Sequence, residues 1–456
     1  MKIKHLTFLI SCLLMTSCCT NKKESTTIDE DSSTSSFIEN SEIFSSSIID
    51  ENPEITFIEN KVDLNKLNQN SGLTPSTGEV NLLLIPIHFS DITSSKFDEQ
   101  KIETAFNGSS NNLEWYSVSE YYDLSSYGNC HLSFTLTDVF TPSKPSIYYE
   151  TNYSNYNYIY AVEEIITEAL DFFDYRYDYS DFDSDNDGYI DGVYLIYDHP
   201  VDFSYQTNLW WAFTYYFDNE QILFDQKKIK SYVFAGYDFL NQNNEICNTH
   251  TYIHEMAHMF GIDDYYDYNT SVGSNSGGLA GGDMMDGTIG DHNAFTKALL
   301  GWNKGILVQP KESITLNLSS FQQNGDFIIL SNQFDNDLGF LQEYFILEYY
   351  TPTKLQEYDK IFKKSGLRIL HVIADTKKNG TLKYNNTDTN AKLISQITSS
   401  EGATYISSTT KISDETLFFE NESLNNVKYS NGSYLSYTLK VTEIQNDWIT
   451  LSIYKK

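Results

Sequence analysis

His254-Glu255-Met256-Ala257-His258, followed by Gly261 and then Asp264, is the stretch on which the reading of this chain turns. Residues four apart share one face of a helix, so both imidazoles project the same way, with Cβ atoms about 6 Å apart. That spacing suits two nitrogen ligands on one tetrahedral zinc ion. Glu255 follows the first histidine and is placed to reach a zinc-bound water without becoming a ligand. Gly261 can take the left-handed conformation that ends a helix and turns the chain back. Asp264 then comes within reach as third ligand, leaving the fourth position to water, as catalytic zinc sites require. Ile253, Ala257 and Phe260, at spacings of four and three, give the helix an apolar stripe to rest on a core. The bare five-residue motif also arises by chance on surface helices. A glycine and an oxygen ligand at set distances beyond it make coincidence the poorer reading.

The extended pattern His-Glu-x-x-His-x-x-Gly-x-x-Asp, with Tyr266 and Asp267 after it, resembles the immune inhibitor A family of secreted bacterial zinc metallopeptidases. That family's longer motif usually has Pro before the third ligand. Here Asp263 stands in its place, so Asp263 competes with Asp264 as the acidic ligand. The likeness extends to Val80–Asp91, which resembles the family's opening strand, and to Ser117–Gly128, similar to its Ser-Val-x-x-Tyr-Tyr segment. Gly281–Trp302 resembles the stretch with the methionine turn and the closing Leu-Gly-Trp; Tyr344–Tyr349 and Gly366–Asp375 resemble downstream β segments. The likeness covers about residues 78 to 376. It implies an α/β (α+β) zincin-like catalytic domain with Met285 in the methionine turn, Met284 being the rival, followed by an all-β C-terminal domain.

The N-terminus reads as an export signal over residues 1–17: Lys2, Lys4 and His5, then an apolar run from Leu6 to Met15. Leu14-Met15-Thr16-Ser17-Cys18 is similar to bacterial lipoprotein signals, in which the cysteine is lipidated, so Cys18 is the expected anchor. An ordinary cleaved signal is the alternative. Residues 18–76 are rich in Ser, Thr, Asn, Glu and Asp and too poor in apolar clusters to repay ordering, which predicts a disordered tether. A propeptide is the competing reading, with Ile55–Leu64 packing on the body. The rest of the chain divides, on this reading, into a metallopeptidase domain at 77–305 and a β-rich domain at 306–456.

A net charge of −33 argues against nucleic acid or anionic membrane surfaces as partners, leaving the lipid anchor as the only membrane contact. The charge suits an extracellular protein, on the cell surface or secreted, that holds calcium; dispersed surface carboxylates would give the same total. Only Cys130 and Cys247 lie in the body, and a disulfide or two buried thiols fit equally. No Cys-x-x-Cys pair exists there to bind zinc.

Asp183-Ser184-Asp185-Asn186-Asp187-Gly188-Tyr189-Ile190-Asp191 alternates carboxylates before a glycine turn, as in the first half of a calcium-binding loop. Asp183, Asp185, Asp187 and Asp191 are the candidate side-chain ligands, with the Tyr189 carbonyl between them. Tyr194 at the twelfth position, in place of a bidentate Glu, rules out a full EF-hand. An acidic turn before a strand is the plain alternative; similar turns in the immune inhibitor A family favour calcium.

The coarse order is strand Val80–Phe89, helices Glu99–Phe106 and Ser117–Tyr122, strand His131–Asp138, helix Ile159–Phe173, the acidic loop, and strands Gly192–Tyr197 and Ile229–Gly236. The active-site helix over about Cys247–Phe260 follows, then a glycine-rich loop Gly277–Asp286 and a helix Asn293–Trp302. Alternating apolar residues from Gly305 onward predict β structure. His250 reads as a flank or a hydrogen-bond donor to a group beside the ligands, His292 as structural, and His371 as a satisfied core residue. Tyr265 and Tyr266 stand near the third ligand, but with 35 tyrosines in the chain that proximity says little.

The function these features point to is extracellular zinc-dependent hydrolysis of protein or peptide bonds, with Glu255 as general base. The rival from another class is a surface adhesin that kept the fold and lost turnover. An intact Glu255 counts against it. Hydrolysis of a non-peptide bond on the same zinc core is a third reading.

Overall fold

A computed structural model describes residues 54–456, except 110–112, 114, 154–156, 205–208, 245–246, 269–276, 358–360, 386–390 and 399–411. The expected signal at 1–17, the expected anchor Cys18 and the expected tether as far as residue 53 lie outside the described residues.

A five-stranded sheet organises the first half, in spatial order Cys130–Leu136, Gly78–Ile87, Val193–Tyr197, Ser231–Gly236 and Phe213–Tyr216. The first four strands are parallel and the last is antiparallel at the edge. A parallel sheet covered on both faces needs strands that are apolar throughout, which is why Asn81 is followed by Leu82-Leu83-Leu84-Ile85. Successive side chains point to opposite faces. Leu82, Leu84, Tyr194, Ile196, Val233 and Ala235 pack with helix His250–Met259 on one side. Leu83, Ile85, Val193, Leu195, Tyr232 and Phe234 pack under helix Tyr158–Phe173 on the other. The expected strands and helices of this half are all present within a few residues. Helix Ser146–Asn152 and the edge strand Phe213–Tyr216 were not anticipated.

The C-terminal half is β-rich. A six-stranded sheet runs Ile55–Ile58, Gly305–Val308, Phe327–Leu330, Glu343–Tyr350, Gly366–Ile373, Ile394–Ile397. Ile306, Ile328, Phe345, Leu347 and Ile369 face a four-stranded sheet that includes Ser313–Ser319, Tyr437–Ile444 and Trp448–Lys455. The other face of the six-stranded sheet sends Leu307, Ile329, Tyr344, Ile346 and Leu370 into the same core as helix His250–Met259. The expected boundary at residue 305 is therefore a change of secondary structure and not a break in packing.

The expected tether must also be shortened. Ile55–Ile58 pairs antiparallel with Gly305–Val308, and helix Leu64–Asn68 is capped by Asp63, whose side chain accepts from Lys66 N. Ile58, Leu67 and Leu73 are buried. Few apolar residues suffice here because each meets a preformed surface and the backbone finds partners: Thr74 N donates to Met259 O, and Asn68 Nδ2 to Gly261 O. Among the described residues no helix is long and apolar enough to cross a membrane.

Candidate metal centre

The helix that carries the two candidate histidine ligands spans His250–Met259, with Ile253, Met256 and Ala257 buried against the sheet. It closes in a Schellman turn: Ile262 N donates to Ala257 O at 3.2 Å and Gly261 N to His258 O at 2.9 Å. Gly261 sits at φ +89°, and a Cβ there would lie 2.5 Å from Asn68 Nδ2, so both backbone and space require glycine. The turn returns the chain so that Asp264 faces the two histidines.

His254 Nε2 and His258 Nε2 lie 3.2 Å apart, and Asp264 Oδ1 is 3.0 Å from the first and 3.4 Å from the second. Ligands on a tetrahedral zinc with bonds of about 2.0–2.2 Å would sit roughly 3.3–3.5 Å from one another. The outer nitrogens decide what the inner ones present. His254 Nδ1 lies 2.8 Å from Met284 O, and His258 Nδ1 lies 2.7 Å from Ile262 O. A carbonyl only accepts, so each Nδ1 carries a proton, and each ring, when neutral, turns an Nε2 lone pair inward. Two lone pairs and a carboxylate oxygen converging in a buried space call for a cation. Without an ion a proton takes that place on His258: burial disfavours its charge, yet Asp264 beside it pulls its pKa up to about 10. Burial would likewise raise Asp264, but the two imidazoles hold its carboxyl well below the usual carboxylate range. These donors fit zinc, and the carbonyl partners are the orienting contacts that metal-bound histidines use.

Asp263 does not join the centre. It is exposed, and its Oδ1 accepts from Asp264 N and Tyr268 OH, both at 2.9 Å. Tyr268 OH also donates to Asp264 Oδ2 at 3.0 Å. Glu255 is 5 % exposed, and burial raises its pKa against the pull of His258 and His254. Thr214 Oγ1, from the edge strand, lies 2.9 Å from Glu255 Oε2 and 2.7 Å from Glu255 O.

The floor is a short helical turn, Met284–Gly287, with both methionine side chains fully buried. Its contribution to the centre is the Met284 carbonyl; the carbonyl of Met285 instead accepts from Tyr265 N at 2.8 Å. Asp283 fixes the turn by accepting from Met285 N, Asn293 N and Asn293 Nδ2, each at 2.9 Å. Arg368 reaches from the six-stranded sheet to Gly282 O at 3.0 Å. Sequence reasoning missed Thr214, Ile262, Met284 as a carbonyl, and Arg368. The two carbonyls leave no trace in side-chain chemistry.

Of the other histidines, His250 turns away, with Nδ1 2.8 Å from Thr288 O and its ring stacked on Trp115. His371 pairs with Glu343 at 2.8 Å, a satisfied core residue as expected. His292 is 1 % exposed, and neither ring nitrogen has a hydrogen-bond partner among the described residues. Tyr265 OH shares a hydrogen bond with Thr296, and Tyr266 stacks near His254. Cys130 and Cys247 are both buried and form no disulfide with each other.

The acidic loop brings one carboxylate oxygen each of Asp183, Asp185 and Asp187 within 4.8 Å of one another. Asn186 and Gly188 carry the turn at φ +60° and +92°. Asp183 Oδ1 is buried without a hydrogen-bond partner among the described residues, while Oδ2 accepts from Gly188 N at 3.1 Å and Lys227 Nζ at 2.5 Å. Hard oxygen donors with one buried and unsatisfied fit a calcium ion. Asp191 corrects the expected ligand set: it lies outside the cluster, its Oδ2 accepts from Ser184 N at 2.9 Å, and burial pushes its pKa up to about 7. Tyr189 contributes its N–H to Asp187 Oδ1 at 2.8 Å and begins a short strand beside Lys228–Ile229.

No family model matches the chain, and no curated protein matches it.

Proposed function

We propose that the protein is an extracellular zinc-dependent endopeptidase on a zincin-like core, akin to the immune inhibitor A family, exported and held at the surface through a lipid on Cys18. The observation that carries this reading is the convergence of His254 Nε2, His258 Nε2 and Asp264 Oδ1 beside a buried carboxylate. His254, His258 and Asp264 would hold the ion. Zinc, when bound, lowers the pKa of water and polarises a carbonyl. Glu255 takes the proton of the attacking water and returns it to the leaving amine. The edge strand Phe213–Tyr216, last in its sheet among the described residues, offers an extended peptide a partner for backbone pairing next to Glu255. An adhesin has no use for a carboxylate kept out of water, since burying one is costly. In this reading Asp183, Asp185 and Asp187 hold a structural calcium that ties the loop to the sheet.

Zinc-loaded protein should cleave an unfolded protein substrate, and a chelator should stop it. Cleavage that is indifferent to chelation would contradict the proposal. Labelling with a fatty acid should mark the wild-type chain and not Cys18→Ser; equal labelling would remove the anchor.

A further inference from the structure

We infer that Thr214 is a positioning residue that keeps Glu255 hydrogen-bonded through both halves of its proton cycle, an inference that rests on the peptidase reading. Thr214 has no counterpart in the motif: it sits on the antiparallel edge strand, far from the helix in sequence. Side-chain alternation along that strand sends Phe213 to the opposite face, against Tyr158 and Phe234. Thr214 and Tyr216 turn to the helix, where Tyr216 OH donates to His258 O at 3.2 Å.

Thr214 Oγ1 meets two oxygens of one residue, the Glu255 carbonyl at 2.7 Å and Glu255 Oε2 at 2.9 Å. A hydroxyl has one proton and spare lone pairs. Towards an ionised Glu255 it donates to Oε2. Once Glu255 has taken the proton of water, the hydroxyl turns its own proton to the Glu255 carbonyl and accepts from Oε2–H. No proton leaves Thr214 in either state. The carboxyl thus keeps one partner while its charge changes, and the base stays aimed. The same contact joins the edge strand to the base, so a peptide docked along that strand lies against the element that aims Glu255.

The test compares zinc-loaded wild-type protein with Thr214→Val, Thr214→Ser and Glu255→Ala. Valine keeps the shape and neither donates nor accepts. Thr214→Val should lower kcat by about tenfold to a hundredfold, the worth of one hydrogen bond to a charged group, with KM unchanged. Thr214→Ser should restore kcat. A readout independent of turnover is calorimetric binding of a peptide hydroxamate, whose acidic proton is received by the base. Thr214→Val should weaken it by a similar factor while the zinc content stays at one ion per chain. Wild-type kcat and hydroxamate affinity in Thr214→Val, beside an inactive Glu255→Ala, would overturn the role of Thr214 and leave the peptidase standing. A loss that serine does not restore, with zinc content or melting temperature also lowered, would make Thr214 structural and overturn the inference. A wild-type protein that neither cleaves peptides nor binds the hydroxamate would overturn the peptidase reading and the inference with it.

Discussion

Replacing Asp264 with asparagine should separate a ligand from a bystander, because it removes the charge and keeps the size. Asp264 is 1 % exposed, and its Oδ1 stands within 3.4 Å of both Nε2 atoms. Loss of a group that merely orients a ligand costs about 10–100-fold in metal affinity. Loss of the ligand itself should exceed that, so zinc binding is expected to weaken by roughly a thousandfold, about 4 kcal/mol. Asp263→Asn is the comparison in the adjacent position. Its carboxylate only accepts from Asp264 N and Tyr268 OH, so the expected loss stays within about tenfold. The assay is titration of zinc-free protein with zinc against a chelator of known affinity. Melting curves at fixed free zinc supply a second readout, since a thousandfold weaker site forfeits about 4 kcal/mol of linked stability. Equal losses in the two variants, or a greater loss in Asp263→Asn, would refute the ligand assignment.

Calcium at a hundredfold excess over its dissociation constant should stabilise the fold by about 2.7 kcal/mol; Asp183→Asn should abolish that rise in melting temperature, and Lys227→Met should strengthen calcium binding by removing a competing ammonium. A flat melting temperature across millimolar calcium in wild-type protein would exclude the site. A chain starting at residue 54 should melt like the full protein, whereas one starting at 77 should melt lower and bind zinc more weakly, having lost the contacts of Asn68 and Thr74 to the end of the helix. Equal melting of the two would make residues 54–76 dispensable. Burial holds the His292 pKa well below its usual value. Below pH 6.5 the unfolded chain therefore takes up a proton that the native state refuses, and stability falls as pH drops, by about 1.4 kcal/mol per unit for one proton. Zinc-free His292→Leu should lose that much of the slope in denaturant titrations; an unchanged slope would contradict the burial argument.

The parallel strands and the long helices were legible because continuous apolar runs and regular helical spacing report burial directly. Phe213–Tyr216 was not: four half-buried residues with no polar alternation carry no period, and only its neighbour Ser231–Gly236 makes it a strand. Residues 54–76 misled for a related reason. Their composition predicts disorder, and their order comes from the long-range partners Gly305–Val308 and Met259. At the centre, spacing alone named His254, His258 and Glu255, and geometry chose Asp264 over Asp263. What aims these groups, the carbonyls of Met284 and Ile262 and the hydroxyl of Thr214, comes from backbone or from distant chain. Asp191 was misplaced because alternation along the loop does not reveal that Ser184 claims its carboxylate.

Glu255 beside this centre is what is proposed to make the protein a hydrolase of peptide bonds. The direct measurement is the rate at which zinc-loaded wild-type and Glu255→Ala proteins cleave a quenched-fluorescent peptide library, with zinc content measured on the same samples. One zinc per chain is expected in both, and turnover in Glu255→Ala lower by at least about 10²–10⁴-fold, the usual worth of general acid–base catalysis. Comparable turnover in the two proteins at equal zinc content would contradict that proposal.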